Sequence, residues 1–148
     1  MTRVDFYVLQ DTTSVGRERF ACRLADIAYR RGQRVYLNAQ SLDQAQALDN
    51  LLWTFQAGSF VPHGLHPSDV AEDTPVLIGY DGVPDRGHEV LINLAEAVPS
   101  FFSRFDRVAE LVNQDEQTKA AGRQRFRFYR DRGYALETHS LAGQADDA

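Results

Sequence analysis

Five consecutive residues, Val76-Leu77-Ile78-Gly79-Tyr80, carry no charged or amide side chain. A strand that is apolar without alternation has to be covered on both faces, as in a parallel sheet with helices above and below it. Residues 90–94 (Val-Leu-Ile-Asn-Leu) and 108–112 (Val-Ala-Glu-Leu-Val) have nearly the same character. Residues 3–9 and 35–37 are rich in β-branched and aromatic side chains, also a strand signature. Helical or turn-rich segments separate these five runs. The alternation predicts an α/β chain built on an open, mostly parallel sheet with helices on both faces.

The helices carry their own signals. Ser14 is the N-cap candidate of the first, which places Phe20, Leu24, Ile27 and Ala28 on one face and stops at basic residues and Gly32. Ser41 with Gln44 forms a capping-box pattern for the second. Its Leu48, Leu51, Leu52 and Phe55 recur at i, i+3, i+4 and i+7, one apolar stripe. Gly64 and Pro67 mark the segment around His63 and His66 as loop, and residues 65–74 as turn-rich. Pro99-Ser100 opens a short helical turn through Phe101, Phe102 and Phe105. Asn113 with Glu116 reads as the cap of the last long helix, which ends near Gly133, and residues 134–139 as a final edge strand. Residues 1–141 are expected to form one α/β domain. The small, polar residues 142–148 are expected to be a disordered tail.

Composition narrows the function. A chain of 148 residues, 43% hydrophobic and 25% charged, has enough apolar content for one core of its own. A single Cys excludes an internal disulfide framework and any Cys-based zinc site. No apolar run approaches ~18 residues, and Met1-Thr-Arg-Val-Asp leads directly into a strand pattern with no room for a signal peptide. A cytoplasmic location is the expectation. The net charge of −5 argues against coating duplex DNA. Six of the 16 Lys/Arg residues nevertheless fall between Lys119 and Arg132 with one acid, Asp131, leaving ten bases against 20 acids elsewhere. A basic patch on an acidic body points to a localised acidic partner.

Catalytic signatures are missing from the sequence. The first strand–helix turn, Gln10-Asp-Thr-Thr-Ser-Val-Gly-Arg, lacks G-x-G-x-x-G, and G-x-x-x-x-G-K-[ST] occurs nowhere, so this Rossmann-like outline comes without nucleotide-binding motifs. His63, His66, His88 and His139 show no metal-ligand spacing. Asp5 lies inside the first strand and Asp11 just beyond it; paired acids at a strand end can hold a cation but more often cap the next helix. Cys22 falls in mid-helix and reads as core-adjacent. No catalytic, metal or cofactor residue is assigned.

Two stretches remain unexplained by core packing. In the last helix Lys119, Arg123, Arg127 and Arg130 follow at i, i+4, i+8 and i+11, one basic ridge with Phe126 alongside. Cations beside an apolar wall suit an anion attached to a hydrophobic group, and Arg suits a carboxylate. Gly122 costs about 1 kcal/mol against Ala in a helix interior, which a close approach by another backbone would explain. The second stretch is 51–65. Trp53 lies roughly 140° from Leu48 at 100° per residue, on the polar side of its helix. Phe60, Val61 and Pro62 follow between Gly58 and Gly64. Either a neighbouring element covers Trp53 and Phe60, or a partner does.

Leu48-Asp49-x-x-Leu52-Trp53 followed by Ser59-Phe60-Val61-Pro62-His63 resembles the chi subunit of bacterial DNA polymerase III. The resemblance runs from the Phe6-Tyr7 strand to Phe126-x-x-Tyr129-Arg130. It implies a non-catalytic accessory subunit of the replicative polymerase, associated with the clamp loader. One surface would bind the acidic C-terminal tail of single-stranded-DNA-binding protein (SSB), which ends in Pro-Phe with a free carboxylate. Carried over by position, that site comprises Trp53, Lys119, Arg123 and Phe126, with Val112 and Thr138 as weaker members. Phe126 stands where some relatives are expected to have Tyr, which removes a polar contact and keeps the apolar wall. Phe60, Val61, Pro62 and His63 match the stretch facing the psi subunit. DNA would be reached only through SSB. Two other readings compete: a module that binds single-stranded nucleic acid directly through the 119–132 helix, with Phe126 or Trp53 stacking on bases, and a small nucleotide-dependent enzyme.

Overall fold

The computed structural model describes residues 1–66, 73–80, 82 and 89–141. Its elements are β1 (Arg3–Val8), α1 (Ser14–Arg30), β2 (Val35–Asn38), α2 (Leu42–Thr54), β3 (His63–Leu65), β4 (Val76–Gly79), β5 (Val90–Asn93), a 3-10 turn (Phe102–Arg104), β6 (Arg107–Val112), α3 (Glu116–Asp131) and β7 (Ala135–Ser140). The seven strands form one sheet in the order β3-β4-β2-β5-β6-β1-β7. Every pairing is parallel, as the unalternated apolar runs require. The expected α/β class, with helices on both faces, is what the chain adopts.

Side-chain alternation along the strands sorts the core into two layers. Val35, Leu37, Val76, Ile78, Val90, Ile92, Ala109 and Leu111 face α1 and α2. Tyr36, Leu77, Leu91, Val108 and Val112 face the opposite way, with Phe102, Phe105 and Tyr129 from the 3-10 turn and α3. Glu110 lies between Val108 and Val112 on β6, so the period of two aims its carboxylate at α3.

Three local expectations are corrected. Residues 63–65, read as loop, form the short edge strand β3, paired with β4 from His63↔Val76 to Leu65↔Ile78. Backbone pairing needs no apolar side chain, and Gly64 and the flanking prolines hid it. Thr13, not Ser14, caps α1 by accepting from the Gly16 N–H at 3.0 Å. Asp115, not Asn113, caps α3 by accepting from the Thr118 N–H at 3.0 Å. Asn113, two residues earlier, is buried and donates to the Thr13 carbonyl at 3.1 Å. The Ser41 cap of α2 holds, but Gln44 reaches back to the N–H of Gln40 rather than that of Ser41. His88 and residues 142–148 lie outside the described residues.

Candidate docking sites

α3 presents different chemistry along its two flanks. The flank facing β1 and β7 carries Lys119, Gly122, Arg123 and Phe126. With Phe6, Val8, Val112 and Thr138 these residues surround an open cavity of ≈310 Å³. Phe126 meets Phe6 edge to face, ring centroids 5.3 Å apart, which fixes it as an apolar wall. A Cβ at Gly122 would lie 2.7 Å from Val112 Cγ2. Only Gly lets the helix come this close to β6, and what approaches Gly122 is a side chain of the sheet, not the backbone expected there. Asp115 anchors the first turn through the Thr118 N–H and hydroxyl, and those bonds hold its carboxyl below the usual range.

The ridge is not uniformly available. Arg130 pairs with Asp131 at 3.1 Å, and the Arg132 guanidinium lies 3.7 Å from the centroid of the Phe128 ring. Among the described residues no ion pair engages Lys119, Arg123 or Arg127. Lys119 and Arg123 are therefore free cations at the rim of an apolar cavity.

Five of the six residues predicted for an anionic tail come together here: Lys119, Arg123, Phe126, Val112 and Thr138. Trp53 does not join them. It belongs to α2, on the other face, beside the opposite edge of the sheet. Five strand spacings from β3 to β1 amount to about 24 Å. Positional analogy alone put Trp53 in that group, and the sheet order takes it out.

Trp53 instead joins the second predicted stretch. It is 65% exposed and packs edge to face on His63, centroids 4.7 Å apart. The His63 side chain is 1% exposed. Its Nδ1 lies 2.6 Å from the Val61 carbonyl, and its Nε2 lies 3.2 Å from Asp49 Oδ1 but off the line of a hydrogen bond. Phe60 is 80% exposed and Val61 is buried in the core, while Pro62 is exposed. Of the four residues predicted for a second partner, Phe60 and Pro62 offer their side chains, and Val61 and His63 support the loop from beneath.

Sequence reasoning missed the buried centre of the α3 face. Glu110 is 0% exposed and accepts from Arg125 Nε at 2.7 Å, Tyr129 Oη at 2.6 Å and Asn93 Nδ2 at 3.1 Å. Burial and the Glu110 charge push the Tyr129 hydroxyl far up. A lone Glu inside an apolar strand needs such partners, and Arg125 and Tyr129, four apart on one helix, were the available signal. One group of potential metal ligands is present among the described residues, Asp5, Glu137 and His139. The guanidiniums of Arg107 at 3.6 Å and Arg3 at 3.9 Å already flank Asp5, so its carboxylate has arginine counter-charges without an ion.

Fold and sites define a wholly parallel α/β protein with two separated surfaces suited to docking. The family model described as DNA polymerase III chi subunit, HolC, matches residues 1–137. The DNA polymerase III subunit chi of Pseudomonas aeruginosa is 43% identical over 141 residues, covering 95% of this chain and 98% of that one. The Escherichia coli K12 protein of the same name is 31% identical over 93% of this chain and 97% of its own. The chain belongs to the chi-subunit family of DNA polymerase III, an accessory and non-catalytic family. The crystal structure of T4 UvsW superposes with a TM-score of 0.68 at 8% identity over 95% of this chain, which spans 42% of that structure's length. That likeness is one of fold alone.

Proposed function

We propose that this subunit links the replicative polymerase to SSB-coated DNA in the cytoplasm, binding the acidic SSB tail in the Phe126 cavity and the psi subunit, on the clamp-loader side, through Phe60. The observation that carries the reading is the cavity itself, walled by Phe6, Val112 and Phe126 and rimmed by Lys119 and Arg123. A terminal Phe ring fits against Phe126 and Val112, and its carboxylate is then within reach of Arg123. Phe60, with Pro62 and Trp53 beside it, is an apolar patch at the far edge of the sheet, the composition of a protein-binding hot spot.

Direct binding to single-stranded nucleic acid is the weaker reading. Stacking platforms need aromatic faces along a cationic track. Here Phe126 is packed on Phe6 and Trp53 is about five strand spacings away. The test is calorimetry with an acidic peptide ending in Pro-Phe carboxylate, run beside a short single-stranded oligonucleotide. The peptide should bind, with affinity falling as salt rises. Arg123→Glu should cost about 2–5 kcal/mol of that affinity without loss of folding. Salt-steep oligonucleotide binding with no peptide binding would sink the reading.

A further inference from the structure

In open α/β sheets, ligands sit outside the carboxyl ends of the strands, where successive connections depart in opposite directions. That crevice lies here between β2 and β5. From β2 the chain leaves through α2 toward β3. From β5 it leaves over the other face, through the 3-10 turn, toward β6. The two strand ends are tied by a buried amide pair, Asn38 Nδ2 donating to Asn93 Oδ1 at 3.0 Å. A cavity of ≈250 Å³ opens beside them, lined by Arg17, Gln40, Gln44, Glu96, Thr118 and Arg125 among others. It is on the flank of α3 away from the Phe126 cavity.

Guanidiniums reach this crevice from both faces of the sheet. Arg17 on α1 donates through Nη1 and Nη2 to the carbonyls of Leu111 and Leu94, each at 3.1 Å. No carboxylate is within ion-pair distance of it among the described residues. Arg125 on α3 is 3% exposed. Its Nε engages Glu110 and its Nη1 the Glu96 carbonyl, while its Nη2 is buried with no hydrogen-bond partner among the described residues. Burial and the nearby Arg125 charge both push the Arg17 guanidinium below its usual range, a strain that an anion beside the two would relieve. Several carboxylates oppose this: Glu110 already holds Arg125 at 2.7 Å, and Glu18, Glu110 and Asp115 all act on Arg17 in the opposite sense. Glu96 is exposed at the rim, where water screens it, and Glu18 accepts from Gln44 Nε2 at 3.3 Å.

We propose that this crevice binds a phosphate-class oxyanion between Arg17 and Arg125, either a free ion or the terminal group of a nucleotide. The volume is below the roughly 300–1,000 Å³ of pockets that enclose drug-sized ligands. It suits phosphate or pyrophosphate, and a nucleotide would leave its base and sugar outside. No glycine-rich loop is needed, because guanidinium donors stand in for the backbone N–H groups of such a loop.

The test is calorimetry of the full chain with inorganic phosphate, pyrophosphate and ADP, each against chloride of equal ionic strength. Saturable 1:1 binding of any of the three is the expected result, and the order of affinity tells a free ion from a nucleotide. Arg17→Gln should weaken it at least about tenfold. Should that variant fail to fold, exposed Gln40→Glu keeps the test. It preserves an acceptor for the Glu96 N–H, which Gln40 Oε1 now receives at 2.7 Å, and adds a repelling charge at the mouth, so binding should again weaken. Arg127→Glu, an equal or larger charge change on the exposed side of α3, should leave binding unchanged. No saturable binding beyond chloride, or equal weakening by Arg127→Glu, overturns the proposal.

Discussion

Replacing Arg125 and Glu110 singly and together tests whether the α3 face is assembled around their ion pair. Both groups are nearly inaccessible, at 3% and 0% exposure, and joined at 2.7 Å. Arg125→Met leaves a buried carboxylate with only Tyr129 and Asn93 as donors. Glu110→Gln leaves a buried guanidinium without its counter-charge. Breaking a buried pair from one side costs about 3–5 kcal/mol, a large part of the roughly 5–15 kcal/mol that holds such a domain folded. The double variant keeps neither ion of this pair, and its Gln can still accept from Tyr129. Its cost should therefore fall short of the summed single costs by at least about 2 kcal/mol. Urea unfolding followed by circular dichroism gives all four free energies, provided the slopes agree. Additivity within about 0.5 kcal/mol would show that the pair is a neighbourly contact and not the centre of this layer.

Three further outcomes are expected. Phe60→Ala should weaken psi binding by about 2 kcal/mol or more with little change in melting temperature, since the ring is 80% exposed; a large thermal loss with intact binding would make Phe60 a core residue. In Gly122→Ala, the helix-propensity gain of about 1 kcal/mol meets an overpacking cost of about 1–3 kcal/mol from a contact of 2.7 Å with Val112. Chemical denaturation should show a net loss, calorimetry a weaker tail peptide, and a more stable variant with unchanged affinity would contradict the packing. The Cys22 thiol is buried and pushed up to about 12, so a thiol reagent at about pH 8 should label it only on unfolding; prompt labelling of the native chain would contradict its place in the core.

The parallel sheet was legible because its strands are apolar on both faces, and Val76 to Gly79 is fully buried as that pattern demands. The pairing of Lys119, Arg123 and Phe126 was legible because helical spacing is local. What stayed hidden depended on long-range placement. The helical angle puts Trp53 on the polar side of α2, but no local rule says whether a neighbour covers it or which sheet edge its helix lies against. Arg125 counts as one more surface cation until β6 places Glu110 beneath it. Val61 and Phe60 are neighbours of similar hydrophobicity, and only the turn of the backbone after Ser59 sends one inward and the other out. β3 is three residues long with Gly at its centre, too short for any period to register.

We propose that the two surfaces, one on α3 beside β1 and β7 and one beyond β3, act independently. The test is calorimetry of the SSB tail peptide into the free chain, and then into the chain saturated with psi. Sites about 24 Å apart across the sheet should give the same peptide affinity in both titrations, within about 0.5 kcal/mol, and Trp53 fluorescence should respond to psi but not to the peptide. Loss of peptide binding when psi is present, or a Trp53 response to peptide alone, would contradict the two-surface account.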